Sequence, residues 1–183
     1  ALDISCTGLA KEPSRSATFY AVERAKALGK TVFMDIDFRA NQWHDPRAFG
    51  VAVRAILPMV DVAIGTEEEI NAVGLTSLDQ LKIVNSQIQA PEIEGDLNAN
   101  IKLILERGPK ALVVKTGAKG AEVHLQSGEI ITAPGFQVEV YNTVGAGDAF
   151  GSGFIYGRMT GHDWYKSARL GNACGAIVVT RHA

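Results

Sequence analysis

Short apolar runs alternate along this chain with longer stretches in which apolar positions recur every three to four residues, and the two periods predict strands and helices. The run from Ala1 to Thr7 reads as a short buried strand. A helix is expected from Ser14 as N-cap, with Phe19, Val22, Ala25 and Ala27-Leu28 at its apolar positions and Gly29 where helices often close in a left-handed residue. Thr31 to Asp35 is too apolar for a strand with one wet face and suits a central parallel strand. Asp45-Pro46 pairs an N-cap with a first-turn proline and predicts a helix to about Leu57, just before Pro58. Val60 to Ile64 is the next strand, Thr66 to Glu69 opens a helix closed by Gly74, and Ser77 opens another. Asn85 to Asn100, with Pro91 and Gly95, reads as a loop ahead of a helix from about Leu97 to Arg107, which Gly108-Pro109 stops. A strand over Ala111 to Lys115 follows. Ala121 to Leu125 and Ile130 to Ala133 then form a hairpin around Gln126-Ser127-Gly128, and two final helices cover Gly147 to Thr160 and Trp164 to about Val179.

Alternating strands and helices followed by a hairpin predict an α/β fold, a three-layer arrangement of a mostly parallel sheet with helices on both faces. The 183 residues allow one domain over 1–183. With 18 Lys+Arg against 20 Asp+Glu, a net charge of -2 and 46% hydrophobic residues, and with no block of like charge, the chain matches neither a disordered segment nor a nucleic-acid-binding arm. No apolar run reaches the ~18 residues of a membrane helix. The residues given show no charged-then-apolar leader. Cys6 and Cys174 lie far apart without a CxxC spacing, so neither a disulfide framework nor a zinc site is expected, and the default compartment is reducing and cytoplasmic.

In an open α/β sheet, ligands gather beyond the carboxyl ends of the strands, so polar residues just after strands are the candidates. Asn142-Thr143-Val144-Gly145-Ala146-Gly147-Asp148 leads into a helix. Glycines there let the backbone approach a ligand, and the helix start offers amides to an anion such as phosphate. Asp148 stands where a general base could take a proton from an attacking hydroxyl, although an acidic residue that only complements the helix dipole has the same pattern. The spacing is neither GxGxxG nor GxxxxGK[ST], which disfavours a dinucleotide enzyme and a P-loop protein. Lys115-Thr116-Gly117-Ala118-Lys119-Gly120 is either a phosphate-binding turn or a plain turn into the next strand. Asp35, Asp37 and Arg39 share one side of an extended segment. Arg39 is therefore either a fork for a substrate carboxylate or the ion-pair partner of an aspartate. Thr66 and Glu69 fit a capping box, which leaves Glu67 and Glu68 as free carboxylates able to reach a magnesium ion through water. The histidines show no ligand spacing.

The block over 142–153 resembles the second signature of the ribokinase-like (PfkB) carbohydrate kinases, and the order of the other pieces agrees over nearly the whole chain. The resemblance implies that Gly145, Ala146 and Gly147 form an anion hole for the transferred phosphoryl and that Asp148 is the catalytic base at the acceptor hydroxyl. Asn142 stands where many members carry an Asp that contacts the sugar or supports a monovalent-cation site. Glu68 falls on the Glu of the NxxE motif, which handles Mg2+ through water, with Gly65 in place of the motif's Asn. Thr116, Gly117 and Gly120 match the nucleotide-binding TGxxG turn, and Asn172 falls where the family lines its adenine pocket. Asp35 to Arg39 followed by Trp43 looks like the DxNxR…W segment of members that act on keto-acid sugars, with Asp37 for Asn; there the Arg approaches the substrate, which points to Arg39.

Gly8 to Arg15 and Ile64 to Glu69 look most like members of myo-inositol catabolism. Together these likenesses imply ATP-dependent phosphorylation of a sugar-acid hydroxyl with ATP and Mg2+, a monovalent cation being optional, and no nucleic-acid or membrane partner. The rival of another class is a nucleotide-binding module without chemistry. The resemblance also implies the carboxyl-terminal portion of such a kinase domain, incomplete at both ends and lacking the N-terminal strands and lid. Such a chain, taken alone, is expected to self-associate and to turn over poorly.

Overall fold

The structure, a computed structural model, describes residues 1–82 and 92–181. The chain divides into two compact units, Ala1–Leu112 and Val113–Ala183. Six strands form one mixed sheet in the order β1-β2-β3-β6-β7-β8, as the α/β pattern predicts.

In the first unit β1 (Leu2–Ser5), β2 (Val32–Asp35) and β3 (Val62–Thr66) run parallel, with Leu2 opposite Val32 and Phe33 opposite Val62. Val32, Phe33 and Met34 are all buried, which is why this segment carries no polar alternation. Four helices follow the strands: α1 (Ser14–Ala27), α2 (Arg47–Ile56), α3 (Glu67–Val73) and α4 (Leu97–Leu105). Their starts show where local chemistry acts. Ser14 is the first helical residue rather than the cap, and the Glu12 carboxylate accepts the Ser16 N–H and hydroxyl at 3.2 and 2.7 Å. At α2 the start falls one residue later than expected: Pro46 is the cap and Arg47 the first helical residue, while Asp45 Oδ1, ahead of the cap, accepts the Arg47 N–H at 2.9 Å. At α3 the predicted box closes in both directions: the Thr66 N–H donates to Glu69 Oε2 at 2.7 Å, and the Glu69 N–H donates to Thr66 Oγ1 at 3.3 Å.

The helix expected from Ser77 does not form. Ser77 and Gln80 do close a capping box, but only one 3-10 turn, Leu78–Gln80, follows it. The chain then enters β4 (Leu81–Lys82), which pairs antiparallel with β5 (Glu92–Ile93). The Glu94 N–H donates to the Gln80 carbonyl at 2.8 Å and the Gln80 amide donates to the Glu94 carbonyl at 3.2 Å, so ribbon pairing takes the groups that would have continued a helix. The expected loop over 85–100 lies in part outside the described residues; its end is β5 and the opening of α4, capped by Asp96.

Strand β6 (Ala111–Lys115) begins in the first unit and ends in the second. In the second unit β7 (Gly120–Leu125) and β8 (Ile130–Pro134) make the predicted hairpin, one residue longer at each outer end, with Gly128 at φ +92° in its turn. Helices α5 (Ala146–Met159) and α6 (Trp164–Val179) pack tightly against each other. Their backbones approach where glycine removes bulk: a Cβ on Gly157 would stand 2.9 Å from Ser167 Cα.

Candidate active site

Nine of the residues singled out by sequence lie in the second unit. Gly145 holds φ +79°, a left-handed conformation that turns the chain into α5 and suits glycine. Ahead of it, Asn142 Oδ1 accepts the Val144 N–H at 2.9 Å, so the Asn142 side chain shapes this turn. The turn is tied down by the Tyr141 and Asn142 N–H groups, which donate to the Val179 carbonyl at 2.8 and 3.3 Å. The Ala146 N–H donates to the Thr143 carbonyl and that of Ala149 to Gly145. Among the described residues the N–H groups of Gly147 and Asp148 find no acceptor. Two amides and the positive end of a 14-residue helix thus face outward at one turn, the arrangement that holds an anion. Asp148 is exposed on that turn, free to meet a solvent-borne group.

Thr116, Gly117 and Gly120 form a tight turn between β6 and β7, closed by the Thr116 N–H on the Gly120 carbonyl at 2.9 Å. Gly117 and Gly120 have φ +61° and +114°. Asn172 is only 8% exposed, and its amide donates to the carbonyls of Ala133 and Pro134 at 2.9 and 3.1 Å. One helical turn earlier, Arg169 donates to the carbonyls of Pro134 and Gly135 and lies over the Phe136 ring. The two side chains together fix the end of β8 on α6. Sequence reasoning singled out Asn172 but passed over Arg169. Lys115, the first residue of the candidate turn named from the sequence, closes β6.

The first unit carries Arg39 and Glu68. Arg39 Nε pairs with Asp37 Oδ1 at 2.9 Å, which realises the ion-pair alternative, and half of the Arg39 side chain stays exposed. Ser5 donates to Asp37 Oδ2 at 3.5 Å. Asp35, Asp37 and Glu69 all act on the buried Cys6 thiol: burial first and then these carboxylates push its pKa up, which keeps it a neutral core group. Glu68 is half-buried in the first turn of α3. Among the described residues no group of three His, Cys, Asp or Glu side chains could hold a metal ion. Glu68 alone is one carboxylate, so an ion beside it would need oxygens from a ligand and from water as well.

The glycine turn leading into a helix with an exposed Asp, and the separate Thr-Gly turn, are two phosphate-compatible features of one α/β unit. Residues 3–183 match the pfkB family carbohydrate kinases. The chain belongs to the pfkB family of carbohydrate kinases. It is 33% identical over 180 residues to a 5-dehydro-2-deoxygluconokinase of Shouchella clausii, with 98% of this chain and 50% of that protein covered. A 5-dehydro-2-deoxygluconokinase of Bacillus anthracis is likewise 33% identical, with 100% of this chain and 51% of the relative covered. The chain thus spans about half the length of the curated relatives it matches. Among solved structures, a fructokinase of Vibrio cholerae O395 in a fructose, ADP and calcium ion bound form superposes with a TM-score of 0.79 at 28% identity, covering 100% of this chain and 55% of that one. An E. coli Ribokinase II structure in complex with ATP and Mg2+ gives 0.80 at 26%, covering 99% and 52%.

Proposed function

We propose that the full-length protein transfers the terminal phosphoryl of ATP to a hydroxyl of a sugar acid, and that the acceptor is 5-dehydro-2-deoxygluconate. The observation that carries the reading is the opening turn of α5, where the outward-facing amides of Gly147 and Asp148 stand beside the Asp148 carboxylate. An anion and a hydroxyl proton need these two features in one place. Asp148 takes the proton of the acceptor hydroxyl as its oxygen attacks the terminal phosphorus. The bond to the ADP oxygen breaks, and the turn formed by Gly145, Ala146 and Gly147 stabilises the charge on the moving phosphoryl. Thr116, Gly117 and Gly120 seat the nucleotide. Asn172 borders the adenine by holding the end of β8 in place. When bound, Mg2+ supplies charge neutralisation between the phosphates, with Glu68 as its protein carboxylate through water.

Arg39 is the group for the acceptor's carboxylate, with Asn142 at the sugar side. Its pairing with Asp37 engages Nε and leaves half of the side chain exposed, and the names of the curated relatives support a sugar acid rather than a neutral sugar. The test is ADP release from Mg-ATP by the full-length protein, offered 5-dehydro-2-deoxygluconate, 2-dehydro-3-deoxygluconate and fructose in turn, in sodium and in potassium buffer. Fastest turnover on the first acid is expected. Preference for fructose would replace the substrate reading with a fructokinase. Nucleotide binding without product from any of the three would leave the non-catalytic module.

A further inference from the structure

Beyond β2 the chain stays extended and its side chains sort by turns: Ile36 and Phe38 are buried, while Asp37 and Arg39 lie on the other side. The backbone there is held without help from the polar side. The Ile36 N–H donates to the Ile64 carbonyl at 2.8 Å, and the Gln42 N–H donates to the Arg39 carbonyl at 3.0 Å. The Phe38 ring meets Phe49 at 4.7 Å between centroids, and Phe49 meets Trp43 at 5.5 Å. These contacts fix where Arg39 starts but not where its side chain points, and that side chain is 54% exposed. Asp37 supplies the direction. Its Oδ1 accepts from Arg39 Nε at 2.9 Å, and its own side chain is only 23% exposed. Its Oδ2 takes the Ser5 hydroxyl proton in a long contact of 3.5 Å. Ser5 Oγ also lies 2.8 Å from Thr7 Oγ1 and accepts the Thr7 N–H at 3.3 Å. A serine hydroxyl has one proton to give, so with that proton on Asp37 the Thr7 hydroxyl donates to Ser5. Asp37 is thereby tied to the end of β1, and Arg39 is tied to Asp37. The ion pair occupies Nε and leaves the end of the guanidinium, with both Nη groups, for a second carboxylate. An ion pair with one partner this exposed adds little to folding stability. Its effect is to order in advance a long side chain that a ligand would otherwise have to immobilise.

We infer that Asp37 is a positioning residue for the acceptor: it holds Arg39 so that both Nη groups meet the carboxylate of the sugar acid together. This rests on the kinase reading above, with Arg39 as the group for that carboxylate. Asp37 touches no substrate atom and moves no proton. Its charge and its hold on Arg39 act in opposite directions on an incoming anion. The negative charge weakens the attraction, the fixed guanidinium strengthens binding, and orientation is the larger of the two.

The test uses the full-length protein with Mg-ATP and 5-dehydro-2-deoxygluconate. Asp37→Ala is expected to raise KM for the acid about tenfold, while kcat and KM for ATP stay within about threefold. Asp37→Ser keeps a hydroxyl near Ser5 but is too short to reach Arg39 Nε. It should give the same rise, and it carries the test if the alanine variant does not fold. Asp37→Asn keeps an oxygen that accepts from Nε and should restore most of the loss. Arg39→Ala should raise KM at least as far, and adding Asp37→Ala to it should raise KM no further, because the two residues act as one unit. A lower KM for the acid in Asp37→Ala, the result of charge removal alone, overturns the assignment. So does an additive rise in the double variant, which would mean that Asp37 acts apart from Arg39. If the wild type itself releases no ADP with any sugar acid, the kinase reading fails first and the assignment falls with it. An active wild type with unchanged KM in the folded Ala and Ser variants removes the role of Asp37 alone.

Discussion

Two glycines of one short turn are needed for different physical reasons. Gly117 at φ +61° has open space where a Cβ would go, so an alanine there meets only the intrinsic cost of a left-handed residue, about 1–2 kcal/mol. At Gly120, φ is +114° and a Cβ would also run into the backbone of Ala133, Pro134 and Gly135. Thermal unfolding should therefore show Gly120→Ala losing clearly more stability than Gly117→Ala; equal losses would mean that the β8 backbone yields freely. A second residue-scale expectation concerns Asp45. Hydrogen bonds from the Arg47 side chain and backbone hold its carboxyl down at about 2, against the ordinary 3.8. A depressed folded pKa stabilises the fold above the unfolded value and is lost as pH falls through the folded one. The difference in stability between wild type and Asp45→Asn should therefore be constant above about pH 4 and shrink between about pH 4 and 2. Denaturant titrations at several pH values read this directly, and a gap that widened on acidification would contradict it.

At the scale of elements, capping chemistry was legible where tertiary pairing agreed with it. Thr66 and Glu69 form the box the sequence announces, and Thr66→Ala should cost about 1 kcal/mol by denaturant unfolding, with no effect expected from the exposed neighbour Glu67→Gln beyond a few tenths. Ser77 and Gln80 form the same box, yet no helix follows, because Gln80 and Glu94 exchange hydrogen bonds across β4 and β5. No local window contains that partner, fourteen residues away. The parallel strands were readable because burial on both faces removes polar residues from them, as in Val32 to Met34. In the candidate site, the glycines and Asp148 were readable because turn chemistry is local. The Asn142 contact with Val144 is local as well, but sequence could not choose it over a ligand. The hold of Asn172 and Arg169 on the end of β8 joins residues more than thirty positions apart, and only the fold brings them together.

At the largest scale, the described residues form a six-stranded mixed sheet and a two-stranded ribbon in two compact units, and the chain spans about half the length of its curated relatives. Among the described residues no helix is long and apolar enough to cross a membrane. The opening turn of α5 and the β6–β7 turn belong to one unit, so the phosphate-facing half of the proposed chemistry has a single folded frame. Arg39 and Glu68 belong to the other unit. Removing Mg2+ with EDTA should abolish turnover of the full-length protein while leaving its thermal unfolding unchanged in the absence of nucleotide, since among the described residues no group of three His, Cys, Asp or Glu side chains could hold an ion. A large loss of stability on chelation would point to a structural metal instead. The central claim is that Asp148 is the base of an ATP-dependent sugar-acid kinase. Its most direct test is ADP release by the full-length wild type and Asp148→Asn at saturating ATP and 5-dehydro-2-deoxygluconate, with ATP affinity measured in parallel. The account predicts a kcat lower by roughly 100-fold or more with ATP affinity nearly intact; normal turnover in the Asn variant would contradict it.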